Sequence, residues 1–423
     1  MTEPTLRPHP YPYRAALAIC SDLDDTGTLE RYLAIQEFLN CEEETPLGPG
    51  LGLEVGNTFF PYTPDDSFAY YSSRPWEAEI LEELMRAGYV DCIHSFGDGV
   101  RDRALALAAL ERLESRGCRL TVWVDHARAP SNLGKDVTAG EGDVPGSPVY
   151  HADATWAYGV RFVWRGRASS IVGQGVPLRS RNLLRVLDPA QPKATGLNLA
   201  KDVAKIVLAR LGNRRFSLHG TNCLTRVTEL ADGQRVIEFK RCNSHWRGLS
   251  YGLDAEGLAY VLGPRALGHL IQSAGTMIVY THIGRGPAQG PCLPAATVHA
   301  LQGVAVAYRS GALYVTTTSR LLAYHVNRQY LRWSHEQREG ETIIRVHGVD
   351  DPLEGLRIPR EDELQGLTFY VPDARATRVY IRERELAHVD RNPADHTGRE
   401  SVGIPRTYLR YPLPVGVAAK VRA

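Results

Sequence analysis

Four times along this chain a short apolar run ends on an acid or a histidine, and helix-spaced segments separate these runs. Ala15 to Cys20 leads to Asp22 and Asp24, Tyr89 to Ile93 to His94, Arg119 to Val124 to Asp125 and His126, and Thr276 to Thr281 to His282. Between them, Leu29, Tyr32, Leu33, Phe38 and Leu39 recur at helical spacing and end near Asn40, Ile80, Leu81, Leu84 and Met85 do so between Pro75 and Gly88, and Val100 to Arg116 is Ala- and Leu-rich before Gly117. His94 and Asp125 stand roughly 30 residues apart, the length of a strand, helix, strand unit with parallel strands. Repetition of that unit predicts an α/β fold, a distorted parallel barrel whose site opens at the C-terminal mouth. An open doubly wound sheet also binds at strand C-termini, so the pattern alone leaves both architectures in play.

Asp22-Leu23-Asp24 is the most chemically demanding of these strand ends. Side chains alternate along a strand, so Asp22 and Asp24 emerge on one face, about 7 Å apart. Two desolvated carboxylates there cost several kcal/mol unless they share a cation, one takes a raised pKa, or both meet open solvent. The shared divalent metal is the favoured reading, and Asp24, Asp25 or Thr26 also serves as a cap for the helix that follows. His94 and Asp98 face the same way if the chain turns helically after its strand. With Asp24 they make a one-His, two-carboxylate set suited to a divalent ion with open positions for water and substrate.

Leu53 to Phe60 predicts a further strand, Leu197 to Leu211 a helix, and Arg215 to Leu218 a strand closing on His219. Ala295 to Tyr308 predicts a helix, Ala312 to Val315 a strand, and a short helix follows Thr318. Thr225 to Lys240 alternates around Asp232-Gly233, a hairpin expected to decorate the barrel. From about Gly340 the pattern changes to short alternating strands such as Leu367 to Val371 and Arg378 to Ile381. The expected organisation is a polar tail over 1–13, a barrel over 14–335 and a β-rich accessory domain over 340–423.

Over 423 residues, 49 Lys and Arg stand against 48 Asp and Glu, so no global field points to nucleic acid or an anionic membrane. Seven cysteines, an odd number without a CxxC, predict buried free thiols in a reducing cytosol. The Pro-rich, polar opening does not resemble a signal peptide, and no run of about 18 apolar residues occurs, so a soluble cytoplasmic protein is expected, its oligomeric state open.

These strand ends resemble the NodB-type polysaccharide deacetylases, metal-dependent hydrolases on a distorted β/α barrel. The resemblance runs in order from Arg14 to Leu322. Asp22-Leu23-Asp24 is similar to the family's opening acidic pair, His94-Ser95 with Asp98 to its second motif, where a second His is the rule, and Val279-Tyr280-Thr281-His282 to its late motif. The middle motifs, centred on an Arg and an Asp, have no clear match, although Trp123-Val124-Asp125-His126 and Arg128 occupy that region. The resemblance implies Asp22 as catalytic base, His282 as general acid, and Asp24, His94 and Asp98 as ligands of a divalent metal ion, zinc first and Mg, Mn, Co or Ni after it. Asp125, His126, Arg128 and Asn132, with Trp156 near them, are the expected substrate contacts. The implied reaction is hydrolysis of a non-peptide amide, releasing acetate from an N-acetylated sugar or another N-acylated small molecule.

Two alternatives belong to other classes. Asp22 to Thr26 with Gly97-Asp98-Gly99-Val100-Arg101-Asp102 resembles the haloacid-dehalogenase-type Mg-dependent phosphatases. That chemistry wants a lysine between the two motifs, and the first lysine of this chain is Lys135. A catalytically inactive carbohydrate-binding barrel is the third reading, with Asp98 in place of His as its support.

Overall fold

The computed structural model describes residues 3–23, 26–62, 70, 74–97, 100, 102–134, 136–285 and 291–414. Its largest sheet runs, neighbour to neighbour, Thr225–Glu229, Arg235–Phe239, Phe162–Trp164, Val122–Val124, Val90–His94, Gly56–Phe59, Ala15–Ser21, Thr276–Thr281, Arg241–Cys242 and Ala168–Ser169. Leu313–Val315 lies against the first half of Ala15–Ser21. All pairings are parallel except the Thr225–Glu229 and Arg235–Phe239 hairpin. Arg235–Phe239 passes through Lys240 into Arg241–Cys242, which pairs with Thr276–Thr281, so the hydrogen-bonded order comes back to its middle strands. The protein is thus a mixed α/β fold around a curled, parallel-rich sheet, compatible with a distorted barrel.

Side-chain parity explains how this sheet builds a site. Ala15, Leu17 and Ile19 pack outward with Leu258, Leu270, Leu301 and Val304 of the surrounding helices. Ala16, Ala18 and Cys20 pack inward with Cys92, Val122, Val124, Phe162, Ile237, Phe239 and Ile278. Both faces are covered, so Ala15–Ser21 is buried at every position. Continuing the inward parity past each strand end gives Asp22, His94, His126, Trp164, Arg241, Tyr280 and His282. These are the side chains that the curled sheet carries to its C-terminal end.

The flanking helices follow sequence signals closely. Leu29–Asn40 forms where expected, but Thr28, not Asp24, Asp25 or Thr26, caps it by accepting from Arg31 N. Pro75–Ala87 ends on Gly88 at φ 86°. The helix expected from Val100 begins only at Arg103, capped by Asp102, whose side chain accepts from Leu105 N. Pro192–Arg210, Ala295–Arg309 and Thr318–Gln329 are each longer than their apolar stripes suggested.

Two expectations fail. Arg215 to Leu218 is no strand: Asn213 accepts from Arg215 N and starts a helical turn over Arg214–Phe216, which runs into Ser217–Gly220. The hairpin is no decoration, because its second arm pairs in parallel with Phe162–Val163 as a member of the sheet. The strands after the sheet begin at Leu331–Arg338, ahead of Gly340. Thr5–Leu6, within the segment read as a tail, pairs with Phe369–Tyr370, and Arg7 bonds Asp395 at 2.8 Å. All seven cysteines are free, five of them buried. Among the described residues no helix is long and apolar enough to cross a membrane.

Candidate functional site

A cavity of ≈ 590 Å³ opens at the C-terminal ends of the parallel strands, lined among others by Asp22, His94, His126, Trp164, Arg241 and His282. Asp22 is 1% exposed. Its Oδ1 lies 3.5 Å from His94 Nδ1 and 3.8 Å from Arg241 Nη2. Between the acid and the imidazole stands Thr58, with its Oγ1 2.9 Å from Asp22 Oδ1 and 3.2 Å from His94 Nδ1. A hydroxyl has one proton, and a carboxylate only accepts. With Thr58 donating to Asp22, the contact between Thr58 and His94 is met by an N–H at His94 Nδ1.

Aromatic rings fix the His94 side of the cavity. Phe60 stacks on His94 at 4.4 Å, and His126 meets both rings edge-on at 4.9 and 5.0 Å. On the far side His282 Nε2 lies 3.3 Å from Tyr280 Oη, and its backbone N–H donates to Leu253 O at 2.6 Å. Tyr280 in turn lies near-parallel to Trp164, 6.2 Å away. The Arg241 guanidinium packs against both rings, 4.4 Å from Trp164 and 5.2 Å from Tyr280.

Asp125 has the outward parity, and its carboxylate is committed to its own loop. It accepts from Trp123 Nε1 at 2.7 Å, Leu133 N at 2.8 Å and Thr138 Oγ1 at 2.7 Å. Burial pushes its pKa up to about 6 against these bonds. Asn132 is likewise occupied: its Oδ1 accepts from His126 N and its Nδ2 donates to His126 O and Thr138 O, each at 2.9 Å. Both residues shape the loop that carries His126. Arg128 is exposed beside the turn at Ala127, φ 36°.

Asp24 and Asp98 lie outside the described residues, so of the expected metal ligands His94 alone has a described position. Among the described residues no group of three or more His, Cys, Asp or Glu is placed to hold a metal ion. His94 itself suits a ligand's part, because a hydrogen bond at one ring nitrogen that orients the other is the usual arrangement of metal-binding histidines. Over the described residues 95–97 the helical turn expected to align Asp98 with His94 does not form. Ser95 at φ 53° and Gly97 at φ 95° break it, and Ser95 turns toward Ser131, 3.2 Å between hydroxyls. Asp102, of the phosphatase-like string, caps a helix.

Arg241, Thr58 and Trp164 had no sequence signal. Arg241 sits in a two-residue strand between charged and polar neighbours, and Trp164 in a strand of three. Only the parity of Phe239 and Phe162, once the strands are known, assigns them inward.

No family model and no curated protein matches this chain. A solved endo-beta1,6-glucanase aligns over 96% of this chain and 94% of its own length, at 10% identity and a TM-score of 0.32.

Proposed function

We propose that the protein is a metal-dependent hydrolase of non-peptide amide bonds, a deacetylase of an N-acetylated sugar or a related N-acylated small molecule, built on a NodB-type barrel. The observation that carries it is the convergence of Asp22, His94 and His282, from three separate strand ends, on one cavity. An acid and two imidazoles at a barrel mouth can supply the general base and general acid of amide hydrolysis.

In this reading Asp22 is the base that takes a proton from the attacking water, with Arg241 and Thr58 fixing its Oδ1. His282 hands a proton to the leaving amine and is held in place by Tyr280. His94 would hold the divalent ion together with Asp24 and Asp98. When bound, such an ion polarises the acyl carbonyl and lowers the pKa of coordinated water. Trp164 and Tyr280 offer ring faces of the kind on which sugars pack. Residues 340–423 would then form an accessory β-rich domain beside the barrel.

Acetate release tests the reading. Purified protein loaded with zinc is expected to release acetate from N-acetylated sugars, and Asp22→Asn to release it at least about 10²-fold more slowly. Phosphate release from an aryl phosphate with magnesium, without acetate release, would instead assign the phosphatase-like chemistry.

A further inference from the structure

The charge lining the cavity is uneven. Arg167, Lys205, Arg215, Arg241 and Arg285 line it together with two acids, Asp22 and Asp125, and the Asp125 carboxylate is spent on its own loop. Part of that positive charge is already answered: Arg167 bonds Asp136 at 2.8 Å and Glu238 at 3.1 Å, Arg215 lies 3.6 Å from Asp136, and Lys205 lies 3.7 Å from Asp202.

Arg241 is different. It is 1% exposed. Its Nη2 donates to Cys20 Sγ at 3.0 Å and lies 3.8 Å from Asp22 Oδ1, whereas Nε and Nη1 have no hydrogen-bond partner among the described residues. A thiol sulfur is a weak acceptor. One carboxylate at the limit of ion-pair distance compensates a buried guanidinium only in part, and unanswered buried N–H groups are costly. Trp164 and Tyr280 hold the guanidinium against their faces, so it is fixed before anything binds. A planar, rigidly held guanidinium with unused donors is matched best by an anionic oxygen group.

We propose that the ligand of this cavity carries an anionic oxygen group, a carboxylate or a phosphate, received by one of the unused donors of Arg241, Nε or Nη1. This deepens the hydrolase reading and rests on it for the reaction alone: the substrate becomes an acidic N-acylated sugar, a uronate or a sugar phosphate. The remaining basic side chains of the cavity add attraction for the same charge.

Isothermal titration of the full chain with glucuronate, glucose 1-phosphate and glucose tests it without any turnover. At least one charged sugar is expected to bind about tenfold or more tighter than glucose, the tighter of the two identifying carboxylate or phosphate. Arg241→Met is expected to abolish the preference. Arg241→Lys keeps the charge beside Asp22 and guards against a variant that fails to fold. It loses the directed guanidinium N–H groups, and its affinity for the preferred sugar is expected to fall about tenfold. Equal binding of all three sugars by the wild type, or unchanged preference in Arg241→Lys, overturns the proposal. A charged-sugar preference without acetate release refutes the hydrolase and leaves the anion site standing. Acetate release that is equal from neutral and acidic N-acetyl sugars does the reverse.

Discussion

Asp22 Oδ1 and His94 Nδ1 lie 3.5 Å apart at the ends of two strands that do not pair with each other. The strand between them, Gly56–Phe59, provides Thr58, whose hydroxyl bonds both. Replacing Thr58 by Val keeps the shape and removes the bridge, taking one hydrogen bond from the buried Asp22 carboxylate and one from the buried His94 ring. The expected loss is roughly 1–3 kcal/mol in urea unfolding, with Thr58→Ser close to wild type. Wild-type stability in Thr58→Val would mean that the hydroxyl holds neither group.

Asp22→Asn is expected to lower acetate release by about 10²–10⁴-fold, the usual contribution of a positioned base. Near-ultraviolet circular dichroism checks that the fold survives. Release within about threefold of wild type would remove Asp22 from the role of base, by the same measure.

Gly97 is fixed by its surroundings. It has φ 95°, and a Cβ there would stand 1.5 Å from Tyr62 O, a backbone atom that cannot swing aside. Gly97→Ala is therefore expected to destabilise by roughly 2–4 kcal/mol and to disturb the loop that follows His94. An unfolding midpoint equal to that of the wild type would contradict this.

Acid is expected to destabilise the protein below about pH 6.5. Burial pushes His9 and His151 down to about 4 and His219 to about 2. A histidine whose folded pKa is depressed contributes stability above its unfolded value near 6.5 and loses it as pH falls toward the folded value. For His151 alone that amounts to on the order of 3 kcal/mol by pH 4. Asp91 and Asp125, raised to about 6 by burial, act oppositely. Their unfavourable contribution is present above pH 6 and disappears as pH falls toward 4. The deeper histidine shifts outweigh the two acids. Urea midpoints are thus expected to fall steadily from pH 7 to pH 5, and midpoints that rise over that range would contradict the balance.

The strand ends were legible because a strand buried on both faces needs an unbroken apolar run, and the first polar residue after it announces the mouth of the sheet. Asp22, His94 and His282 could be found that way. The three-residue strand Phe162–Trp164 and the two-residue strand Arg241–Cys242 have no such run, so Trp164 and Arg241 stayed hidden. Asp125 shows what the pattern does not record: it follows a strand as His94 does and borders the cavity, but its oxygens hold a loop. The hairpin at Asp232-Gly233 was visible as a hairpin. That its second arm completes the sheet depends on the pairing with Phe162–Val163, which no local pattern records.

The most direct test of the proposed chemistry is the metal content of the purified chain, measured by elemental analysis for the wild type, Asp24→Ala and His94→Ala. The account predicts one equivalent of a divalent transition metal in the wild type and its loss in both variants. A wild type that binds none after zinc loading, or variants that keep a full equivalent, would contradict it.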